Sequence, residues 1–173
     1  MFSKPRKLDT EQDLYDYALR ILMRRAHSVY EMKQKLLRKA DSELLAQVVL
    51  ARLKESGKLD DSRYAKQFTR TRTEVRKQGK YRIARDLRAR GVPDRHINEA
   101  FSESADAENE AAMVRQRIER KLRSFRGEIS DKKFASLYRS LLAAGFPADL
   151  IRRELKSLTR EELPEADPPD EAS

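Results

Sequence analysis

A chain of 173 residues, 39% hydrophobic and 39% charged with a net charge of +9, is long enough for one elongated domain or a few small repeats but polar for a single globule. It has no cysteine, which excludes disulfides and thiolate metal sites, and its two histidines, His27 and His96, stand too far apart in sequence to suggest a zinc site. No apolar run approaches the ~18 residues of a membrane span, and the opening MFSKPRKLDTEQD carries no signal-peptide core, so a soluble cytoplasmic protein is expected.

Apolar residues recur at helical spacing along the chain and no segment alternates with period two, so nine helices and no sheet are expected. Leu14, Tyr17, Ala18, Ile21 and Leu22 mark the first helix. Val29, Met32, Leu36 and Leu37 mark the second, opened by Ser28-Val29-Tyr30-Glu31, a capping-box pattern. Leu45, Val48, Val49 and Leu53 mark the third, which stops near Gly57. Asp60 or Asp61 caps the fourth, with Tyr64, Ala65, Phe68 and Val75 along its inner face. Ile83 and Leu87 mark the fifth, ending at Gly91; Ile97, Ala100 and Phe101 mark the sixth, begun near Pro93. The seventh has Ala111, Val114, Ile118, Leu122 and Phe125. The eighth has Phe134, Leu137, Tyr138, Leu141 and Leu142, ending at Gly145. The ninth has Leu150, Ile151, Leu155 and Leu158.

Two phrases match: GVPDRHI at 91–97 and GFPADLI at 145–151. Each reads as a joint, in which Gly allows a left-handed stop, the apolar residue tucks under, and Pro starts the next helix. The corresponding joint of the first unit, Lys39-Ala40-Asp41-Ser42, lacks the signal. Three three-helix units follow, at roughly 14–56, 61–104 and 107–158, between a flexible start (1–13) and a disordered acidic tail (161–173). The expected fold is all-α: three tandem three-helix repeats stacked into an elongated, curved solenoid-like array, with a shared-core globule as the alternative.

The tail, EELPEADPPDEAS, holds six acids and no base, so residues 1–160 carry +15. That charge fits a polyanionic partner, or a solvated exterior rich in Lys and Arg. Phosphate-cradling Gly loops and serine or cysteine nucleophile motifs are missing, and Asp60-Asp61 is better explained as a helix cap than as a metal pair. Nothing argues for catalysis, a cofactor or a metal. The charge is densest at 70–90, RTRTEVRKQGKYRIARDLRAR, with Arg70, Arg72, Arg76, Lys77, Lys80, Arg82, Arg85, Arg88 and Arg90 against Glu74 and Asp86. Tyr81 among them can stack on a base. The stretch reads as a phosphate- or carboxylate-binding face, or as a helix exterior with Arg72 or Arg82 pinned to an internal acid. A second cluster, including Arg115, Arg117 and Lys121, would extend the track.

An ordered series of residues resembles the RecX recombination regulators. It runs Ala18-Leu19-Arg20-Ile21-Leu22, Arg25-Ala26-His27-Ser28, Glu31-Met32 and Lys35-Leu36. It continues with Gly57-Lys58-Leu59-Asp60-Asp61-Ser62-Arg63-Tyr64-Ala65, then Phe68, Arg72, Gly79, Arg82-Ile83, Leu87 and Gly91-Val92. The resemblance spans about residues 14–158 and is strongest in the central repeat. It implies tandem three-helix repeats and a non-enzymatic regulator in DNA repair, recombination and the SOS response. Such proteins bind the groove of the RecA filament on single-stranded DNA and inhibit its strand exchange, ATPase and coprotease activities. The expected partners are therefore RecA and single-stranded DNA, directly or through RecA, engaged by a monomer. A general basic helical-repeat nucleic-acid-binding protein is the alternative.

Overall fold

The helix stops organise the chain. Gly57, Gly91 and Gly145 all take positive φ, at 65°, 70° and 93°. At each, the glycine N–H and the next N–H reach back to the closing helix. Gly91 N donates to Arg88 O at 2.8 Å and Val92 N to Leu87 O at 3.2 Å. Gly145 N donates to Leu142 O at 2.9 Å and Phe146 N to Leu141 O at 3.3 Å. Gly57 N and Lys58 N do the same to Lys54 O and Leu53 O, both at 2.9 Å. These paired bonds are Schellman stops, which satisfy carbonyls the helix leaves orphaned. The apolar residue after each of the later two glycines, Val92 or Phe146, is buried.

A computed structural model of the chain describes residues 7–104, 107–124 and 130–161. Among them are nine α-helices and no strand: α1 Glu11–Arg24, α2 Val29–Lys39, α3 Glu43–Glu55, α4 Asp61–Glu74, α5 Lys80–Arg88, α6 Asp94–Ser104, α7 Ala107–Ser124, α8 Asp131–Ala143 and α9 Ala148–Glu161. The capping box at Ser28 and Glu31 is complete, and Asp60 caps α4 by accepting from Ser62 N and Arg63 N. Asp61 serves a different helix. Its carboxylate accepts from Val29 N at 2.9 Å, capping the neighbouring α2.

Three buried clusters form, one per helix triplet. Leu14, Ala18, Met32, Leu36, Val49 and Leu53 lie in the first; Ala65, Ile83, Leu87, Val92 and Ile97 in the second; Val114, Ile118, Leu141, Phe146 and Ile151 in the third. By compactness the described chain divides into two units. One holds α1–α4, α6 and α5 from Ile83; the other holds Lys77–Arg82 with α7–α9. The division cuts across the expected 61–104 repeat, because Lys77–Arg82 packs with the third triplet. Gly79 N donates to Ala144 O at 2.9 Å and Tyr81 N to Gly145 O at 3.1 Å. A Cβ on Gly79 would overlap the Gly145 carbonyl, and one on Gly145 would overlap Arg82 Cβ.

Several expected inner positions face outward. Val75 is 75% exposed because α4 ends at Glu74 and Val75 is its C-cap; Thr69 takes the buried position instead. Val48 and Leu142 are exposed because Val49 and Leu141, one helical step away, occupy the inward direction. Phe125 and the side chain of Leu158, expected on α7 and α9, lie outside the described residues. The first joint has no glycine because it needs none: Ala40 is extended at φ −70° and ψ 149°. Leu8 lies alongside, donating to Lys39 O at 2.9 Å and accepting from Asp41 N at 2.8 Å. That pairing, and α1 beginning at Glu11, give the expected flexible start an ordered end.

Candidate functional site

In the first unit, four arginines from separate points of the chain line one hollow. Arg25 is the extended C-cap of α1, at φ −161° and ψ 159°. Arg72 lies on the last turn of α4, Arg76 just beyond it, and Arg90 immediately before the Gly91 stop. With Ala26, Tyr64, Gln67, Phe68 and Thr71 they enclose about 560 Å³, and none of the described lining residues is acidic. Phe68 is the platform. The Arg72 guanidinium, one turn on, sits 4.7 Å from its ring centroid, and that of Arg90 4.8 Å. Such stacking contributes about 0.5–2 kcal/mol per pair and holds the guanidinium plane in place. Tyr64 lies beside Phe68 with ring centroids 6.0 Å apart.

The frame around these groups is hydrogen-bonded. Arg90 Nη1 donates to Asp86 O at 2.6 Å, and Arg90 O accepts from Ser28 Oγ at 2.6 Å. Arg25 Nη1 donates to Ala26 O at 3.1 Å, and its Nη2 stands 3.4 Å from Glu31. Burial raises the Tyr64 phenol above its ordinary value, with Glu31 acting in the same direction and Arg90 against it. Burial also lowers the pKa of His27, whose Nδ1 donates to Arg25 O at 2.9 Å.

The second unit has its own basic hollow, of about 330 Å³, lined by Arg117, Arg120, Lys121, Ser124, Leu137, Ser140 and Leu141. The Arg117 guanidinium lies 5.8 Å from the Phe146 ring centroid. Burial, then Arg120 and Arg82, lower its pKa, the signature of cations crowded into partly dry space. Among the described residues no group of three or more His, Cys, Asp or Glu could hold a metal ion, and no helix is long and apolar enough to cross a membrane.

Comparison with known proteins decides the family. Residues 15–53 match the model of the RecX first three-helix domain and residues 60–100 that of the RecX second three-helix domain. Regulatory protein RecX of Halorhodospira halophila is 40% identical over 139 residues, which is 79% of this chain and 83% of that protein. The chain belongs to the RecX family. Regulatory protein RecX of Chlorobaculum tepidum is 33% identical over 153 residues, 88% of this chain and 92% of its own. The crystal structure of RecX from Lactobacillus salivarius shares the fold, with a TM-score of 0.77 at 21% identity over 87% of this chain and 97% of that one. The relatives are named regulatory proteins, and the all-α arrangement of three-helix domains is the RecX fold.

Within this RecX chain the basic stretch 70–90 is divided between the two units. Arg72 and Arg76 belong to the hollow of the first unit. Lys77, Lys80, Tyr81 and Arg82 belong to the second unit. There Lys80 N donates to Glu110 at 3.3 Å, and Arg82 Nη1 to Ala143 O at 3.2 Å. Arg82 is thus held by a backbone carbonyl, and the Arg72 guanidinium lies over the Phe68 ring. Tyr81 is 61% exposed, with the Lys80 ammonium 5.6 Å from its ring. Arg70 pairs with Glu74 at 3.1 Å and Arg88 with Asp94 at 2.7 Å, while Arg85 stands 4.0 Å from Asp86. Arg115 is ion-paired to the buried Glu154, so it ties α7 to α9, while Arg117 and Lys121 share the second hollow. Sequence reasoning did not single out Arg25, counted Arg90 only as one base of the dense run, and did not assign Phe68 its platform role. The available signal was the i, i+4 spacing of Phe68 and Arg72, and the two arginines standing at helix ends.

Proposed function

We propose that this RecX chain binds the RecA filament on single-stranded DNA and restrains its strand-exchange, ATPase and coprotease activities. It does so as a monomer and without chemistry of its own. The observation that carries the reading is the four-arginine hollow, whose Tyr64, Phe68, Arg72, Arg76 and Arg90 fall inside the matched second three-helix domain. Concentrated guanidinium charge suits a surface made of DNA phosphate and acidic protein side chains. Restraint needs no active site, because a ligand that prefers one filament state shifts the equilibrium by that preference.

The test is titration of the purified protein into RecA strand-exchange and DNA-dependent ATPase reactions. Both activities should fall as the protein saturates the filament; unchanged rates at saturation would refute the reading. A general nucleic-acid-binding role is the second reading, favoured by the exposed Tyr81 beside Lys80. RecA pull-down with nuclease present separates the two, since a protein contact survives and a DNA bridge does not.

A further inference from the structure

The hollow of the first unit combines two kinds of recognition group. Its four guanidiniums present planar forks that match phosphate oxygens. Phe68, half-buried beside the buried Tyr64, supplies flat apolar surface, and the Arg72 and Arg90 guanidiniums lying over it are planar surfaces too. A protein carboxylate would use the forks and leave the flat surfaces without a ligand. A duplex would offer phosphates but keep its bases stacked inside. An unpaired strand uses both, because every nucleotide carries a phosphate beside a π-face.

The site is also preformed. Arg25 and Arg90 each anchor Nη1 on a backbone carbonyl, and Arg25 also faces the Glu31 carboxylate through Nη1 at 3.5 Å and Nη2 at 3.4 Å, which orients guanidiniums whose five N–H groups exceed those bonds. The Arg90 carbonyl is tied to the α2 cap through Ser28 Oγ, so the joint bearing this arginine is fixed from both sides. Gln67 and Thr71 add neutral polar groups.

We infer that this hollow is a subsite for one nucleotide of single-stranded nucleic acid. The phosphate lies on the guanidiniums and the base against the stack built on Phe68. The inference rests on the filament reading only for the source of the strand; its binding test contains no RecA.

The full-length protein is titrated with a fluorescent oligothymidylate across a salt series. Arg25→Gln combined with Arg76→Gln should weaken binding at least tenfold. It should also make the log–log salt slope shallower by about 1.4, at ~0.7 per phosphate contact on a single strand. Phe68→Leu should weaken binding roughly fivefold or more with the slope unchanged, since stacking releases no counterions. Arg139→Gln, on α8 and outside the hollow, is the control. An oligothymidylate carrying 4-thiothymidine should photocrosslink to the peptide holding Tyr64 and Phe68, which reports position even if Phe68→Leu misfolds. Thymidine monophosphate competing better than inorganic phosphate supports the assignment and shows that a free nucleotide also enters. Competition by the oligonucleotide alone supports it with the strand as sole source. A normal slope in the folded double variant, or an oligoglutamate peptide competing better than the oligonucleotide, overturns it. A parent protein that binds the strand through this hollow yet leaves RecA unaffected would refute the filament reading and leave the subsite standing.

Discussion

Gly145→Ala tests how the third-triplet joint is built. Gly145 sits at φ +93°, where a side chain is strained by about 1–2 kcal/mol. Its added Cβ would also overlap Arg82 Cβ and crowd the Arg82 backbone nitrogen, so the Lys77–Arg82 segment must shift. That shift endangers two backbone bonds, Gly79 N to Ala144 O and Tyr81 N to Gly145 O. At about 0.5–1.5 kcal/mol each they add about 1–3 kcal/mol, for a total near 2–5 kcal/mol. Gly57→Ala is the internal control: Gly57 is also left-handed, at φ +65°, but its added Cβ meets nothing within 4 Å. It should cost only the strain, about 1–2 kcal/mol. Urea unfolding followed by circular dichroism gives the energies, and amide exchange at Gly79 and Tyr81 shows whether the segment detached. Equal costs for the two substitutions, with those amides still protected, would refute the packing argument.

Other positions give sharper single outcomes. Lys77 is left-handed at φ +50° with no glycine freedom, so Lys77→Gly should stabilise the chain by up to about 1 kcal/mol in urea melts. Ser28→Ala removes both the acceptor for Glu31 N and the donor to Arg90 O, and should cost about 2 kcal/mol and speed exchange at the start of α2. His27 gives a pH signature. Its folded pKa is lowered, chiefly by burial, so below the ordinary 6.5 the unfolded chain takes up the proton first. Its contribution is full above that value and is lost as pH falls through the folded pKa. Melts from pH 7.5 to 5 should therefore show a loss that His27→Gln reduces.

The helices were legible because their signals are local. Spacing, caps and left-handed glycines are written within a few residues of where they act, as Ser28 with Glu31 and Gly91 with Val92 show. Two errors were single-step ones, Val48 beside Val49 and Leu142 beside Leu141, where two adjacent apolar residues compete for one direction, and a third, Val75, lay just past the end of α4. The site was half legible. Arg72 and Arg76 stood out by density, but Arg25 is far from them in sequence and Arg90 looked like one more base in a run. Density in sequence also joined Lys80 and Arg82 to Arg72, although they pack in different units. Linear charge is a poor guide here because helix ends, not helix faces, bring the arginines of this hollow together.

The matching phrases GVP and GFP show the same point at atomic scale. Both supply the same stop, yet each glycine is pressed by a different neighbour. A Cβ on Gly91 would fall 2.5 Å from Tyr30 Cβ, and one on Gly145 would meet Arg82. The first glycine thus lets α2 lie close to the α5–α6 joint, where Ser28 can reach the Arg90 carbonyl and hold its guanidinium near Phe68. The second lets the Lys77–Arg82 segment close over the end of α8, which pins Arg82 to Ala143. One recurring joint therefore has two uses. It sets an arginine over Phe68 in one unit and holds one as a structural tie in the other. A substitution that widened the Gly91 contact would loosen Arg90 without touching any charge. It should therefore weaken binding in the oligothymidylate titration while leaving the number of basic residues unchanged.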